Sequence, residues 1–193
     1  MKKQSNLSRL MGYAGGYRFL TYASWVLSAG SALLSLVPFW YIWRVIKAVL
    51  ESAPNYGEAV HAAHYGWMAV LFAVLSMLVY IGALMCSHLS AFHIATNIRM
   101  GLTHHIAKLP LGKIEQFGTG KLRRVISETS GAAETYLAHQ LPDQYKTYAT
   151  VLGLLVLLFT FDWRLGLLSL VPVALAFAIM ATMTGRRMQD RMT

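Results

Sequence analysis

Four long stretches of the chain contain no aspartate, glutamate, lysine or arginine, and polar segments separate them. They are Phe19–Trp43, Tyr65–Ile98, Thr147–Phe161 and Leu165–Gly185. An uncharged, apolar run of about 20 residues is long enough to cross a bilayer as a helix. The third run has only 15 residues, so its helix must also include residues that precede it. The pattern predicts an all-α membrane protein with four transmembrane helices, at about residues 19–43, 65–108, 128–161 and 165–192.

The second predicted helix is much longer than a membrane is thick. Its apolar positions continue in steps of three or four residues past Arg99, through Leu102 and Ile106. A helix over residues 65–108 measures roughly 66 Å at ~1.5 Å per residue, whereas the hydrocarbon core of a bilayer is about 30 Å thick. We therefore expect a long cytosolic extension that ends at Pro110, because proline cannot continue the hydrogen-bond ladder.

A second amphipathic helix is predicted to begin after Gly118-Thr119-Gly120. Its apolar side consists of positions three or four residues apart between Leu122 and Tyr136. The two helices together predict a hairpin over residues 87–144 that leaves the membrane, turns in the cytosol and returns. Such a projecting hairpin is suited to contact with another protein domain.

The beginning of the chain has an amphipathic pattern of its own. Its apolar residues are spaced as one side of a short helix: Leu7, Leu10, Met11 and Ala14. With the basic residues Lys2, Lys3 and Arg9 nearby, this helix suits the cytosolic membrane interface. The prediction is an interfacial elbow helix in residues 1–17, with a turn at Gly15-Gly16, followed by a transmembrane domain over residues 18–193.

Composition and charge agree with a membrane protein and give its orientation. The 193 residues are 56% hydrophobic and 13% charged, with a mean hydropathy of +0.46. The net charge of +9 comes mostly from basic residues that flank apolar runs, so no nucleic-acid partner is expected. Thirteen basic residues fall on one side of the predicted spans and three on the other. The positive-inside rule then places both termini and the hairpin in the cytosol.

Part of the hairpin resembles a nucleotide-binding loop without matching it. The phosphate-binding pattern G-x-x-x-x-G-K-[ST] requires a glycine where Glu115 stands and a serine or threonine where Leu122 stands. We therefore predict no ATP site, no catalytic residue and no enzyme activity in this chain.

Metal and proton chemistry are also disfavoured. His61 and His64 are three residues apart and His104 and His105 are adjacent, but no cysteine or carboxylate nearby completes a ligand set. No aspartate or glutamate lies in the middle of a predicted span, which disfavours a small proton-coupled carrier. Lys146 stands near the start of the third span and is interpreted as a helix-end side chain that reaches the interface.

Several motifs agree, in order and spacing, with one family. After the long helix come Leu-Pro-Leu-Gly, then Phe-x-x-Gly-Lys-Leu-Arg-Arg-Val-Ile, and later Phe161-Asp162-Trp163-Arg164-Leu165. This order resembles the transmembrane domain of an exporter-type ABC transporter, in which the last motif is the tight outer connection between helices three and four. The resemblance implies a coupling helix, within about Phe117 to Glu128, that docks onto a nucleotide-binding domain. The implied contact residues are Phe117, Gly118, Thr119, Gly120, Lys121, Leu122 and Arg123.

The resemblance also implies an activity and partners. The chain is expected to be the permease part of an ATP-driven transporter in the inner (plasma) membrane, surrounded by lipid. ATP and Mg²⁺ are expected to bind a separate nucleotide-binding domain, and a second transmembrane half completes a homo- or heterodimer. The segment Ala138–Asp143 is similar to a subgroup associated with siderophores, which suggests a siderophore-like or other amphipathic substrate. Phe117 and Leu122 are the expected apolar anchors, with Lys121 and Arg123 as rim contacts.

One departure from the family pattern leaves an alternative open. The family has six transmembrane helices followed by the ATPase, whereas this sequence ends with the fourth helix. The expectation is an incomplete six-helix domain from a truncated or split gene product. The alternative is a stand-alone four-helix membrane protein that acts as a partner or remnant without transport activity.

Overall fold

The computed structural model describes residues 6–52 and 60–184, and in these residues all regular structure is helical. The α-helices of this part are α1 Asn6–Gly12, α2 Arg18–Glu51, α3 Val60–Ala107, α4 Leu111–Phe117, α5 Thr119–Thr135, α6 Leu141–Phe161 and α7 Trp163–Thr184. A 3₁₀ turn at Gly15–Tyr17 precedes α2, and a π-helical segment at Tyr136–Gln140 joins α5 to α6. The all-α prediction is confirmed.

Three helical segments are long and apolar enough to cross a membrane, judged by length and composition. They are Gly15–Glu51, His61–Ala107 and Thr119–Phe161. The apolar part of α7, Gly166–Met180, is shorter. The fourth predicted span, the predicted cytosolic extensions and the orientation of the chain therefore stay predictions. The predicted end of the fourth helix, residues 185–192, lies outside the described residues.

α2 ends later than predicted, because the helix continues beyond its apolar run. The first long helix was predicted to end at Trp43, but α2 continues to Glu51. The additional turns carry Lys47, whose ammonium lies 3.7 Å from the Glu51 carboxylate four residues later, a spacing that supports a helix. Loss of hydrophobicity marks the membrane boundary rather than the end of the hydrogen-bond ladder.

The chain divides into two compact units, Met1–Thr150 and Val151–Thr193. In the first unit, α2 and α3 pack through small side chains. The buried positions on α2 include Ser24, Ser28, Ser31 and Ala32, and those on α3 include Ala83, Ser87, Ser90 and Ala91. Small residues let two helices approach closely where lipid offers no hydrophobic driving force. Between the helices, the hydroxyls of Thr21 and Ser90 share a buried hydrogen bond.

The N-terminal elbow is folded onto α3. Gly15 has a φ of 53°, a conformation that favours glycine, so the predicted turn occurs there. Asn97 donates a 2.8 Å hydrogen bond to the Tyr13 carbonyl, and the rings of Tyr17 and His93 lie 3.7 Å apart. Arg18 donates from Nε to the carbonyl of Met11 at 2.9 Å. These contacts hold α1 at the base of the α3 extension.

The main hydrophobic core lies where α1, α2, α3 and the α5–α6 junction meet. Its buried members are Met11, Ala14, Trp25, Ala91, Ile94, Ile98, Ala133, Leu137, Ala138 and Leu141. Ile94 and Leu137 are the largest fully enclosed aliphatic side chains among them. Burial of each such side chain contributes roughly 1.5–3 kcal/mol. The core therefore fixes the base of the hairpin to the first two long helices.

Pro142 lies inside this core, at the second residue of α6. Proline has no N–H to donate to the carbonyl four residues earlier, which here belongs to Ala138. The Ser87 hydroxyl of α3 lies 3.0 Å from that carbonyl and 3.0 Å from the Leu84 carbonyl of its own helix, so its single proton is shared between these two acceptors. The π-helical segment Tyr136–Gln140 widens the backbone just before the proline, as expected where the normal ladder is interrupted.

The second unit contains the end of α6 and all of α7. Only Asp162 separates the two helices, and its carboxylate accepts a 2.9 Å hydrogen bond from the Arg164 backbone N–H. A side chain at Gly166 would meet the Phe159 ring, because a Cβ there would lie 2.9 Å from Phe159 Cδ1. The connection predicted at Phe161–Leu165 is therefore a one-residue turn.

Candidate functional site: the tip of the α3–α5 hairpin

The tip contains a short helix that the pattern analysis did not predict. Pro110 follows the end of α3 with ψ of 140° and stands immediately before α4, a position that proline tolerates because the first helical N–H groups have no partner within the helix. Its carbonyl accepts a 2.9 Å hydrogen bond from the Lys113 N–H. The proline that ends the long helix thus starts the seven-residue helix α4.

Gly118 alone makes the turn from α4 to α5. Its φ is 73° with ψ 131°, a combination open to glycine and strained for other residues. Its N–H donates to Ile114 at 3.0 Å, and its carbonyl accepts from Leu122 at 3.2 Å. Thr119 and Gly120, predicted to precede the second helix, instead form the start of α5. Gly118–Lys121 is therefore a turn followed by a helix start.

The seven predicted contact residues divide into two groups with different surroundings. Those exposed at the tip are Phe117, Thr119, Gly120, Lys121 and Arg123, with Gly118 half-buried at the turn. Leu122 instead points into the hairpin and is half-buried. Phe117 is 52% exposed, and Leu111 on the same short helix is 71% exposed. The sequence analysis missed Leu111, although Leu111, Ile114 and Phe117 are spaced three apart and so share one side of a helix.

A groove of about 420 Å³ separates α3 from α5 beneath α4. Its lining comes from all three helices: Arg99, Thr103, Ile106, Ile114, Thr119, Leu122, Arg123, Ile126 and Ser127. Leu122 therefore belongs to the apolar lining that it forms with three isoleucines, rather than to the outer surface of the tip. Its expected role as an anchor that reaches a partner directly stays a prediction.

Arg99, one of the residues that line the groove, joins α3 to α5. Its Nε donates to Ser130 Oγ at 2.8 Å, and its guanidinium lies 3.5 Å from the Glu134 carboxylate. Ser130 is fully buried. The contacts connect the two helices above the core, so the hairpin is held at its base by Ile94, Ile98 and Leu137 and at mid-height by Arg99.

The surface of the tip is basic. Its exposed charged residues are Lys108, Lys113, Glu115, Lys121, Arg123, Arg124 and Glu128. Arg124 is paired with Glu128 at 2.6 Å. The remaining basic residues outnumber the acidic ones, which favours a partner surface with acidic groups. Such charge complementarity raises the rate of association more than it raises the affinity.

The other candidate positions were found as follows. Among the described residues, no group of three or more histidine, cysteine or carboxylate side chains is arranged to hold a metal.

Lys146 was interpreted from the sequence as a helix-end side chain that reaches the interface, and the structure shows a different contact. Its ammonium lies 3.4 Å from the centre of the Tyr80 ring on α3, so it contacts the neighbouring helix.

Comparisons with known proteins agree with this architecture. The chain is 27% identical over 165 residues to the mycobactin import ATP-binding/permease protein IrtA of Mycolicibacterium smegmatis, covering 83% of this chain and 18% of that protein. It is 26% identical over 161 residues to the protein of the same name from Mycobacterium tuberculosis, with 83% and 18% covered. It is 27% identical over 191 residues to the ATP-dependent lipid A-core flippase of Idiomarina loihiensis, with 96% and 31% covered.

The chain thus spans less than a third of the length of these relatives. A family model described as the ABC transporter transmembrane region matches residues 21–193, which include most of α2, all of α3 to α7 and the complete hairpin. The match confirms the family resemblance inferred from the motifs. The chain belongs to the ABC transporter transmembrane family.

Proposed function

We propose that this chain is the permease part of an ATP-driven transporter, and that the hairpin tip transmits movement between its spans and a nucleotide-binding domain. The observation that carries the proposal is the exposed apolar pair Phe117 and Leu111. It stands at the end of a hairpin whose helices continue into two of the three candidate spans. Exposed aromatic side chains of this kind are typical anchors of protein contacts.

The contacts that fix the hairpin to the long helices support this role. Core packing around Ile94 and Leu137, together with the Arg99 contacts, connects the tip to α2 and α3. Displacement of either long helix therefore displaces the tip as well. A partner bound to Leu111 and Phe117 senses that displacement, and its own movement acts on the spans by the same connection. This reciprocity is what energetic coupling between two sites requires.

In this proposal, ATP hydrolysis takes place outside this chain. ATP and Mg²⁺ bind the nucleotide-binding domain, which contacts the exposed residues of the tip, and this chain supplies the substrate pathway. A second transmembrane half completes that pathway by alternating access. The hairpin and both termini face the cytosol and the spans lie in the inner (plasma) membrane, as the distribution of basic residues predicts.

The substrate in this proposal is an amphipathic small molecule. A siderophore-like molecule is one candidate, favoured by the resemblance of Ala138–Asp143 to a subgroup associated with siderophores and by the relatives that are named for mycobactin import. The flippase relative is named for a lipid substrate.

The test compares two equally exposed phenylalanines. Phe117 is 52% exposed at the tip, and Phe92 is 51% exposed on α3 below it. In vesicles containing the transporter with its nucleotide-binding domain, Phe117→Ala is expected to reduce substrate transport per ATP hydrolysed at least about tenfold, as for loss of an anchor. Phe92→Ala should leave that ratio unchanged.

Two results would contradict the proposal. If Phe117→Ala retains full coupling at normal expression, the tip is not the transmission element. If the wild-type chain neither recruits a nucleotide-binding domain nor supports ATP-dependent transport, the alternative of a stand-alone membrane protein replaces it.

A further inference from the structure

The groove beneath α4 has an aliphatic lining that three helices share. Ile106 belongs to α3, Ile114 to α4, and Leu122 and Ile126 to α5. All four side chains are half-buried, so part of each remains accessible from the groove. The volume of about 420 Å³ lies in the range of small-molecule sites, roughly 300–1,000 Å³. The groove therefore offers room and apolar surface for a small ligand.

Water, rather than lipid, surrounds this part of the hairpin. Exposed cations stand on the helices around the groove and on the link that precedes α4: Lys108, Lys113, Lys121, Arg123 and Arg124. Charged side chains are costly in hydrocarbon, so the groove opens to the aqueous phase. Apolar surface in contact with water gains free energy when a ligand covers it. An occupant of the groove therefore arrives from water.

The charges that line the groove are of one sign. Arg99 of α3 and Arg123 of α5 are both basic, and none of the nine described lining residues is acidic. Arg123 forms no ion pair within the part of the chain that the structure describes. Arg99 uses Nε for Ser130 and one terminal nitrogen for Glu134. A guanidinium has five N–H donors, so both arginines keep donors for an anion.

We propose that the groove binds an amphipathic organic anion. Its carboxylate or sulfonate lies at Arg99 and Arg123, because guanidinium groups match the geometry of such oxygens. Its apolar body covers the aliphatic lining. The inference goes beyond the proposed function, since this binding requires neither ATP nor transport. A bound ligand contacts α3, α4 and α5 together and thereby stabilises the tip.

Neighbouring residues of α5 provide matched controls. Arg123 lines the groove, whereas Arg124 does not and is paired with Glu128 on its own helix. Ile126 lines the groove, whereas Val125 does not and is 49% exposed. Substitution at either member of a pair changes the composition of the chain in nearly the same way. A difference between the two members therefore reports on the groove.

The first experiment tests the charge. The chain is placed in nanodiscs of phosphatidylcholine, which is neutral overall, and titrated with the fluorescent anion anilinonaphthalene sulfonate, with empty nanodiscs as background. Phenylnaphthylamine, which has the same aromatic frame without the sulfonate, is the neutral probe. Arg123→Gln should weaken binding of the anion at least about tenfold, as for loss of a charged hydrogen-bond partner, and leave the neutral probe unaffected. Arg124→Gln should change neither.

The second experiment tests the location. Ile126→Trp places a large side chain in the groove and should abolish saturable binding of both probes, whereas Val125→Trp should retain both. Melting curves of the two variants show whether each is folded. If Ile126→Trp does not fold, Arg123→Gln at its exposed position still decides the outcome.

Four results would overturn the inference. They are an unchanged affinity for the anion in Arg123→Gln, an equal loss in Arg124→Gln, an equal loss for the neutral probe, and no saturable binding of the anion above empty nanodiscs. Loss of the anion when a nucleotide-binding domain is added also overturns it, because the groove is then a protein contact. None of these measurements uses Phe117→Ala, so a failure here leaves the test of coupling independent.

Discussion

The Ser87 hydroxyl lies 3.0 Å from the carbonyl of Ala138, the backbone acceptor that Pro142 leaves without its usual donor. Ser87 is 1% exposed and Ala138 is 2% exposed, so water does not replace this bond. The missing N–H of Pro142 is thereby compensated by a side chain that precedes the acceptor, Ala138, by 51 residues. The contact joins α3 to the π-helical segment that precedes α6.

The first prediction concerns this pair. Ser87→Ala should lower the free energy of unfolding by about 1–2 kcal/mol, because it leaves a buried carbonyl without a donor. Ser31→Ala is the control, since buried Ser31 donates only to Ser28 within its own helix. In a Pro142→Ala background, which restores a backbone N–H, Ser87→Ala should cost less. Thermal melting of the purified chain and the double-mutant cycle test this, and equal costs in both backgrounds would contradict it.

The second prediction concerns the one-residue turn. Gly166→Ala should destabilise the second unit by about 1 kcal/mol, because its Cβ would lie 2.9 Å from Phe159 Cδ1 and overpacking outweighs the gain in helix propensity. Gly30→Ala, where no atom lies within 4 Å, should be neutral or stabilising. Thermal melting compares the two variants. The cost at Gly166 should fall when Phe159 is replaced by leucine; persistence of the full cost would exclude this contact as its cause.

The third prediction separates the two groups of tip residues. Leu122→Ala should lower stability by about 1–2 kcal/mol, less than the 2–5 kcal/mol of a fully buried leucine, because Leu122 is half-buried in the groove. Phe117→Ala should leave the melting temperature unchanged while it weakens recruitment of the nucleotide-binding domain. Melting curves and co-purification measure the two effects. A Leu122→Ala variant with wild-type stability would show that the groove lining does not support the tip.

The fourth prediction concerns the connection between α3 and α5. Arg99→Ala removes a hydrogen bond to buried Ser130 and an ion pair with Glu134, and should cost about 1 kcal/mol. Arg124→Ala removes only an exposed pair with Glu128 on the same helix, typically worth less than about 0.5 kcal/mol. Hydrogen exchange of α5 amides should increase in the first variant and not in the second. Equal exchange in both would mean that Arg99 does not hold the hairpin together.

The fifth prediction concerns orientation. In a Cys86→Ser background, a cysteine at exposed Lys121 should react with a membrane-impermeant maleimide only after the membrane is opened. A cysteine at Trp163, which is 61% exposed beside the one-residue turn, should react in intact cells. This prediction follows from the uneven distribution of basic residues between the two sides of the predicted spans. Labelling at position 121 in intact cells would mean that the orientation is the reverse of the predicted one. The tip would then lie outside the cell, where it cannot contact a nucleotide-binding domain.

Much of the helical order could be predicted because apolar runs and periodic positions identify long helices. The same signals did not predict features that depend on the backbone preferences of one or two residues. Pro110 was interpreted only as an end, although it also starts α4. Gly118 alone forms the turn, while Thr119 and Gly120 are helical. α2 outlasts its apolar run because a helix can continue in water.

The sequence predicts a candidate site at the tip of the hairpin, but it could not assign the side chains of that tip to surfaces. Phe117 and Leu122 are equally apolar in the sequence, yet only Phe117 faces outward. The difference depends on the turn at Gly118, which sets the rotation of α5 relative to α4. Likewise, the contact between Lys146 and Tyr80 joins residues 66 positions apart, which no local pattern connects.

The elbow contacts described above also impose an order on synthesis. Tyr13 receives its hydrogen bond from Asn97, which is 84 residues later in the chain. At roughly 5–20 residues per second, a ribosome needs about 4–17 s to reach that partner after it has made Tyr13. During this interval Met11 and Ala14 have none of their α3 neighbours in the core. The segment around Tyr13 must wait until the second long helix has been made, so residues that are translated early are among the last to reach their final place.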